Sequence, residues 1–149
     1  MFKQKFKFEG WRVGLDYFEN SCFFTKFDLE SGHHHLNIFP EQQSYLGFSW
    51  VMLDGNTQLF MFTVLPFGLS SAPYIFTKLF RPLVKHWRSQ SIHSVVYLDD
   101  GGLDAERSEA LSGPNSNIIK SDLASAGFLA NMDKCFWDPI QVNTWLGIV

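Results

Sequence analysis

The sequence has little cysteine, no long hydrophobic run and no excess of basic residues, and each shortage excludes a class of protein. Two cysteines, Cys22 and Cys135, cannot build a disulfide framework in 149 residues. No stretch is apolar enough for a membrane span, and residues 1–7 lack the apolar core of a secretion signal. These shortages predict an intracellular protein, cytoplasmic or nuclear, that has no membrane partner.

Charge and aromatic content leave a nucleic-acid function open without requiring it. The formal net charge is −3, so the sequence does not predict an overall basic binder of nucleic acid. Aromatic side chains are abundant, with 16 Phe, 5 Trp and 4 Tyr, and such rings fill cores or stack on bases. The length suits one domain. Because the sequence stops on a strand-like segment, 145–149, we expect a fragment of a longer protein.

An acidic pair at the end of an apolar strand is the strongest local signal. Residues 92–98 are strand-forming, and Asp99, Asp100, Gly101 and Gly102 follow at once. Two adjacent carboxylates repel each other, and a bound cation would relieve this repulsion, so the pattern favours a cation site at this hairpin tip. The alternative is an ordinary acidic turn, because Asp-Asp-Gly is common turn chemistry.

A second carboxylate repeats this layout. The apolar strand 22–27 is followed directly by Asp28. If the two strand ends lie side by side, Asp28 and Asp99 meet. Two divalent ions about 3.5–4 Å apart, held by carboxylates, are what phosphoryl transfer to a hydroxyl requires. Mg²⁺ prefers such oxygen ligands.

Three consecutive histidines, His33, His34 and His35, suggest a metal site at first sight. Neighbouring residues of a strand face opposite sides, and zinc sites use spaced ligands, so a dedicated zinc site is disfavoured. We expect His34 and His35 to be solvated or locally hydrogen-bonded.

Hydrophobic periodicity and turn residues predict a mixed α+β chain. In order, the predicted elements are a short helix that buries Trp11, Leu15 and Phe18, strands over 22–27, 43–53, 57–64 and 92–98, helices over 71–88 and 116–126, and strands over 128–130, 135–137 and 142–148. Residues 103–114 are predicted to be a polar loop. Pro82 predicts a kink or break in the first long helix, whose predicted buried stripe is Phe76, Leu79, Phe80, Leu83 and Trp87.

The same helix carries four basic residues largely off its buried stripe, which are Lys78, Arg81, Lys85 and Arg88. They form either an ordinary solvated face or a surface that tracks phosphates.

Five sequence blocks, taken in order, resemble the palm of retroelement reverse transcriptases. They are Phe27-Asp28-Leu29, residues 65–73, Tyr97-Leu98-Asp99-Asp100, residues 131–135, and Trp145-Leu146-Gly147. Residues 27–32 and 74–78 look closest to the DIRS-like group. The resemblance covers nearly the whole chain. It implies a polymerase palm, an antiparallel sheet backed by two helices, with partial fingers and no thumb, over residues 1–149.

The resemblance also implies roles for particular residues. Asp28, Asp99 and Asp100 would be catalytic metal ligands. Lys134 would protonate the leaving pyrophosphate, although a plain surface lysine is an equal reading.

Further positions match the substrate-binding part of the family's pattern. The Leu29 carbonyl would lie near the metal, and Phe67 and Gly68 would lie along the incoming nucleotide and template base. His33 stands where the family usually has Tyr or Phe, whose ring excludes the 2′ hydroxyl of a ribonucleotide.

By resemblance, the function is RNA-directed DNA polymerisation with two Mg²⁺ ions, for which Mn²⁺ is a substitute. Its partners would be an RNA or DNA template with primer, deoxynucleoside triphosphates, and the rest of a polyprotein that includes a ribonuclease H region. The alternative is an inactive or domesticated fragment that only binds nucleic acid or protein. An unrelated metal phosphohydrolase is a third reading.

Overall fold

The computed structural model describes residues 9–19, 21–98, 101–142 and 144–147, and it has the α+β architecture predicted from the sequence. The helices of the described chain are α1 (Trp11–Leu15), α2 (Pro40–Gln43), α3 (Ala72–Ser89) and α4 (Glu109–Ser125), with 3-10 turns at Gly32–His35 and Ser44–Leu46. The strands are β1 (Phe23–Phe27), β2 (Gly47–Val51), β3 (Thr57–Met61), β4 (Ser94–Val96), β5 (Gly102–Glu106) and β6 (Phe136–Ile140).

The main sheet is antiparallel and has the strand order β4-β5-β1-β6. Its two central strands are far apart in sequence, and they pair so that Phe27 of β1 lies opposite Gly102 of β5. On the other side of β5, Gly102 lies opposite Val96 of β4. This register brings the end of β1 next to the hairpin that joins β4 to β5.

One face of the sheet packs against the two long helices. The shared core consists of buried apolar side chains from β1, α3, α4 and the segments between them, which are Phe27, Leu29, Phe76, Phe80, Val84, Trp87, Ile92, Ile119 and Leu123. The Trp87 indole N–H donates to the Asp122 carboxylate at 2.9 Å and so joins α3 to α4. An antiparallel sheet backed by two helices is therefore present, as predicted.

The opposite face of the sheet carries a second, smaller apolar cluster. Val95, Leu103 and Trp145 are buried there, and side chains from the α1 region and from β1 pack around them. Because both faces are covered, the central strands β1 and β5 are held from above and below, which fixes the position of the residues at their ends.

The prediction for residues 103–114 was wrong. These residues form β5 and the first turns of α4. Asp104 and Glu106, which the prediction places in the loop, are both buried within β5. The helix predicted over 116–126 starts earlier, because α4 begins at Glu109 and continues through Pro114. Tertiary packing outweighs the local preference of these residues.

The C-terminal strands also differ from the prediction. β6 runs without interruption through Asp138 and Pro139, which were expected to separate two strands. It is an edge strand, where a missing proline N–H is tolerated. The described residues of 142–148 form no continuous strand, and 128–130 contributes only a bridge between Leu29 and Ala130.

The observed bounds of other elements also differ from the predicted ones. Residues 43–46 are helical, so β2 is shorter than the predicted 43–53 strand, and β4 is shorter than the predicted 92–98 strand. Leu15 is 57% exposed, contrary to expectation, and the side chain of Trp11 lies outside the described part.

Helix α3 agrees with the predicted span to within one residue at each end. It is continuous through Pro82, so the expected break does not occur. Leu79 is 54% exposed while Val84 is buried, so the buried stripe is shifted from the predicted one.

A separate two-stranded sheet, β2 and β3, projects from this core. Its turn contains Asp54, whose carboxylate accepts the Asn56 backbone N–H at 3.0 Å, as the predicted hairpin requires. Every residue of both strands is exposed. Within the described chain, no helix combines the length and apolar character needed to cross a bilayer.

Candidate active site

Asp28 lies where β1 leaves the sheet. The preceding residue, Phe27, is buried in the core and pairs with Gly102. Asp28 itself is 9% exposed. Its position is therefore fixed by a packed strand, while part of the residue still reaches the surface and can meet a ligand.

Asn131 and Cys135 fix the main chain of Asp28. The Asn131 N–H donates to the Asp28 carbonyl oxygen at 2.9 Å. The Asp28 N–H donates to Sγ of Cys135 at 3.3 Å, and the Cys135 thiol lies 3.5 Å from the Asp28 carbonyl oxygen. Burial raises the pKa of the Cys135 thiol, and the negative charge of Asp28 adds to the rise. The sulfur is thus held as a neutral thiol beside the carboxylate-bearing residue.

The Leu29 side chain belongs to the core, at 3% exposure. Leu29 bridges Ala130, and the hydrogen bonds that flank the bridge are made by the Asp28 carbonyl and the Glu30 N–H. In this antiparallel pattern the carbonyl of Leu29 points away from Ala130. Its backbone, and not its side chain, is the part available to a ligand.

Lys134 is brought to Asp28 by the same segment. Its Nζ lies 3.9 Å from Oδ1 of Asp28, and its side chain is 64% exposed. A pair at this distance with an exposed ammonium is weak, so the amine is near the carboxylate without being locked to it. The sequence placed these residues in separate blocks, and the structure brings them together.

Gly101 packs against the backbone of Phe27 and Asp28 from the other side. A Cβ on Gly101 would lie 1.6 Å from the Phe27 carbonyl oxygen and 2.8 Å from the Asp28 Cα. Its φ of +81° is also unfavourable for any residue with a side chain. The predicted ligands Asp99 and Asp100 lie outside the described residues, and Gly101 directly follows them in the sequence.

His33 and Phe67, two predicted substrate-binding residues, are in contact. The His33 ring is buried, at 4% exposure, with its centroid 4.9 Å from that of Phe67 and 5.0 Å from that of Phe76. Phe67 is 53% exposed, and the neighbouring Gly68 is exposed at φ +83°. The pair thus joins a buried imidazole to an exposed ring at the turn before α3.

The other two histidines behave as expected. His34 is exposed. His35 makes one local hydrogen bond, with Gly32: its Nε2 accepts the Leu129 backbone N–H at 2.9 Å, which leaves Nδ1 to donate to the Gly32 carbonyl at 3.2 Å. The bond to Leu129 joins residues 94 positions apart and helps hold the 129–135 segment against the residues that follow Asp28.

Of the three predicted metal ligands, only Asp28 lies among the described residues. Over residues 9–19, 21–98, 101–142 and 144–147, no group of three or more His, Cys, Asp or Glu could hold a metal ion. The carboxylate of Asp28 suits Mg²⁺ as a donor, because this ion prefers oxygen ligands. The close packing of Gly101 on Asp28 is compatible with further carboxylates from the preceding residues.

A second carboxylate pair, which was not predicted from the sequence, lies in the interior of β5. Asp104 and Glu106 are 1% and 5% exposed. Glu106 accepts a hydrogen bond from the Asn115 side chain at 2.8 Å, and the His93 ring lies 3.4 Å away. The alternation of Leu103 and Ala105 with these two residues was the available signal, but charged residues seldom occupy the inner face of a strand.

Comparison with known proteins gives a family match and several relatives. A family model described as reverse transcriptase (RNA-dependent DNA polymerase) matches residues 6–148. The chain is 36% identical over 77 residues to the genome polyprotein of Petunia vein clearing virus (isolate Shepherd), which is 52% of this chain. It is 28% identical over 130 residues, 87% of this chain, to the retrovirus-related Pol polyprotein from transposon opus of Drosophila melanogaster. It is 27% identical over 125 residues, 84% of this chain, to the transposon Tf2-3 polyprotein of Schizosaccharomyces pombe.

These relatives are much longer than the chain. The matched segment is 3% of the viral polyprotein, 12% of the Drosophila protein and 9% of the yeast protein. The similarity therefore concerns one segment of each polyprotein.

Proposed function

Because the chain belongs to the reverse transcriptase (RNA-dependent DNA polymerase) family, we propose that residues 1–149 form the palm, with part of the fingers, of a retroelement polymerase. The proposed reaction is two-metal nucleotidyl transfer onto a primer 3′ hydroxyl. The observation that carries this proposal is the position of Asp28 at the end of a packed strand, against the glycine that follows the acidic pair.

Asp28, Asp99 and Asp100 would hold the Mg²⁺ pair. When bound, the two ions activate the primer hydroxyl and offset the charge of the leaving pyrophosphate. The chain's own contribution is positional. Cys135 and Asn131 hold the Asp28 backbone, so the carboxylate does not need to reorganise when substrate arrives.

Lys134 would act as the proton donor to the leaving pyrophosphate. Its exposed ammonium, 3.9 Å from Asp28, can reach an anion near that carboxylate by rotation of its own side chain. The backbone of Leu29, together with Phe67, Gly68 and His33, would contact the nucleotide and the template base. The exposed ring of Phe67 and its contact with His33 support this part of the proposal.

The partners follow from the proposed reaction. They are an RNA or DNA template with primer, deoxynucleoside triphosphates, and the remainder of a retroelement polyprotein with a ribonuclease H region. Membership of the DIRS-like group and an intracellular location remain predictions from the sequence.

Primer extension tests the proposal. We would assay the chain alone, and the chain joined to fingers and thumb segments, with Mg²⁺, primer–template and deoxynucleoside triphosphates. Extension should be abolished by Asp28→Asn and by Asp99→Asn. Lys134→Gln should lower the rate by about 100-fold or more, since a general acid contributes on that order. Asp133→Asn, which removes an exposed carboxylate beside Lys134, is the matched control and should leave the rate within about two-fold, as expected of a surface change.

Two results would contradict the proposal. One is a completed polypeptide that binds primer–template but extends nothing, which would favour the binding-only alternative. The other is Mg²⁺-dependent phosphate release without primer, which would favour a phosphohydrolase.

A further inference from the structure

Helix α3 is strongly basic in a chain that is acidic overall. The helix contains Lys78, Arg81, Lys85 and Arg88 and has no Asp or Glu, while the chain carries a net charge of −3. Successive spacings of three, four and three residues place these four side chains, called the basic stripe below, along one side of the helix. The charge of this helix is therefore not balanced within the helix itself.

The basic stripe borders a cavity with an apolar wall. The cavity has a volume of about 380 Å³ and lies between α3, the start of α1 and the end of β4. Phe80, Val84 and Leu98 line it together with Arg81, Lys85 and the ion pair between Arg88 and Glu9. It thus combines apolar surface with cations, and we call it the basic groove.

One member of the basic stripe is already used by the fold. The Arg88 guanidinium donates to both carboxylate oxygens of Glu9, at 2.9 and 2.6 Å, and to the Ser94 carbonyl oxygen at 2.9 Å. Burial lowers the pKa of Arg88, but the hydrogen bonds and charge of Glu9 outweigh this and raise it. Arg88 is a structural residue and is not available to a ligand.

Arg81 and Lys85 differ from Arg88 in this respect. Both are exposed, and neither makes an ion pair or hydrogen bond with any residue that the structure describes. Like charges four residues apart on a helix repel by about 0.2–0.5 kcal/mol. Two unneutralised cations that line one cavity provide a site for an anion.

We propose that the basic groove binds a single-stranded segment of nucleic acid, with phosphates on Arg81 and Lys85 and an unpaired base against the apolar wall. Cations that follow a phosphate backbone beside apolar or aromatic surface are the usual design of single-strand sites. A duplex does not offer an unpaired base to a cavity, so the ligand is single-stranded. An acidic peptide has matching charge, but the family membership favours nucleic acid, and in this the inference rests on the proposed function.

The location of the basic groove fits this ligand. Leu98, which lines the cavity, directly precedes Asp99 in the sequence. A strand bound in the groove would therefore lie beside the last described residue before the acidic pair. The groove would hold template or primer outside the reacting atoms, so Arg81 and Lys85 are binding residues and not catalytic ones.

Equilibrium binding of a labelled 20-nucleotide oligodeoxythymidylate to the full chain tests the proposal. Arg81→Gln/Lys85→Gln should weaken binding about ten-fold or more at 0.1 M salt. The slope of log affinity against log salt should fall by about 1.4, since each phosphate contact on a single strand contributes about 0.7. The charge-preserving exchange Arg81→Lys/Lys85→Arg should retain both values.

Arg107→Gln/Lys120→Gln is the matched control, because it removes two positive charges from other surfaces. We expect it to change the slope by less than half as much. Circular dichroism and thermal melting check folding. If the double variant does not fold, the single variants Arg81→Gln and Lys85→Gln should each lower the slope by about 0.7.

An unchanged slope in the folded double variant would overturn the proposal. The proposal would also be overturned if the double variant lost binding to an oligoglutamate peptide that the parent binds, while its oligonucleotide binding stayed intact. That result would identify an acidic peptide as the ligand. Asp28→Asn separates this inference from the proposed polymerase function, because it should stop primer extension and leave oligonucleotide binding intact.

Discussion

Replacing Asp104 by asparagine should increase the free energy of unfolding at neutral pH. Asp104 is 1% exposed, and both of its carboxylate oxygens are buried without a hydrogen-bond partner among the described residues. In the sheet it lies opposite Ser94 on one side and Thr25 on the other. Burial, and then the negative charge of Glu106, raise the pKa of Asp104 from 3.8 to about 8. The native state therefore holds the protonated acid.

The sign and size of the effect follow from the two pKa values. The folded protein binds the Asp104 proton more tightly than the unfolded chain does. This contribution is complete below about pH 3.8 and is lost as the pH rises to about 8. At pH 7 the unfolded carboxylate has ionised and the folded one has not, which lowers stability by up to about 4 kcal/mol. Asparagine has nearly the same shape and cannot ionise, so the variant avoids this loss.

Urea unfolding of parent and variant at pH 4, 6 and 8 measures the difference. We expect the two proteins to agree within about 1 kcal/mol at pH 4, since both then bury a neutral polar group. The advantage of the variant should grow by about 1.4 kcal/mol per pH unit above that. The same substitution at exposed Asp138 should change stability by less than about 0.5 kcal/mol. A pH-independent difference, or a variant less stable than the parent at pH 7, would refute the reasoning.

Three further perturbations have defined outcomes. Gly101→Ala should lower the free energy of unfolding by more than about 2 kcal/mol, because its Cβ would meet the Phe27 carbonyl oxygen. Gly10→Ala is the control, since its Cβ would meet no atom within 4 Å. Thermal melting compares the two variants, and equal melting temperatures would contradict the packing argument. Cys135→Ala removes the acceptor of the Asp28 N–H and should cost about 1–3 kcal/mol in chemical denaturation; a cost below about 0.5 kcal/mol would mean that the sulfur does not hold Asp28. Residues 47–61 form an exposed hairpin with one charged side chain, so it has little charge to oppose association. Trp50→Glu should therefore raise the concentration at which the chain aggregates, measured by light scattering. Unchanged aggregation would show that association uses another surface.

The sequence predicted those parts of the fold in which local and tertiary preferences agree. Helix α3 follows a rigid Pro-Gly turn and has a regular apolar stripe, and the β2–β3 hairpin has an Asp-Gly-Asn turn. β5 was not predicted because Asp104 and Glu106 are charged residues on its buried face, and their polarity indicated an exposed loop. β6 was not predicted as one strand because its edge position, which tolerates Pro139, is a property of the assembled sheet.

Prediction of the candidate site had a similar limit. The sequence predicted site roles for Asp28 and Lys134 because each lies in a recognisable block, and the structure places the two side chains 3.9 Å apart. It did not identify Cys135 as the partner of the Asp28 backbone, since the contact joins residues 107 positions apart. The roles of all the site residues remain predictions, and Asp99 and Asp100 also lie outside the described residues.

Arg88 has a consequence for how the sheet meets other sheets. Its side chain covers the Ser94 carbonyl on β4, an edge strand that would otherwise offer that acceptor to a neighbouring chain. At the opposite edge, Pro139 of β6 has no N–H to give. Each border of the sheet is therefore a poor template for an added strand, so stacking of copies edge to edge into fibres is disfavoured on both sides.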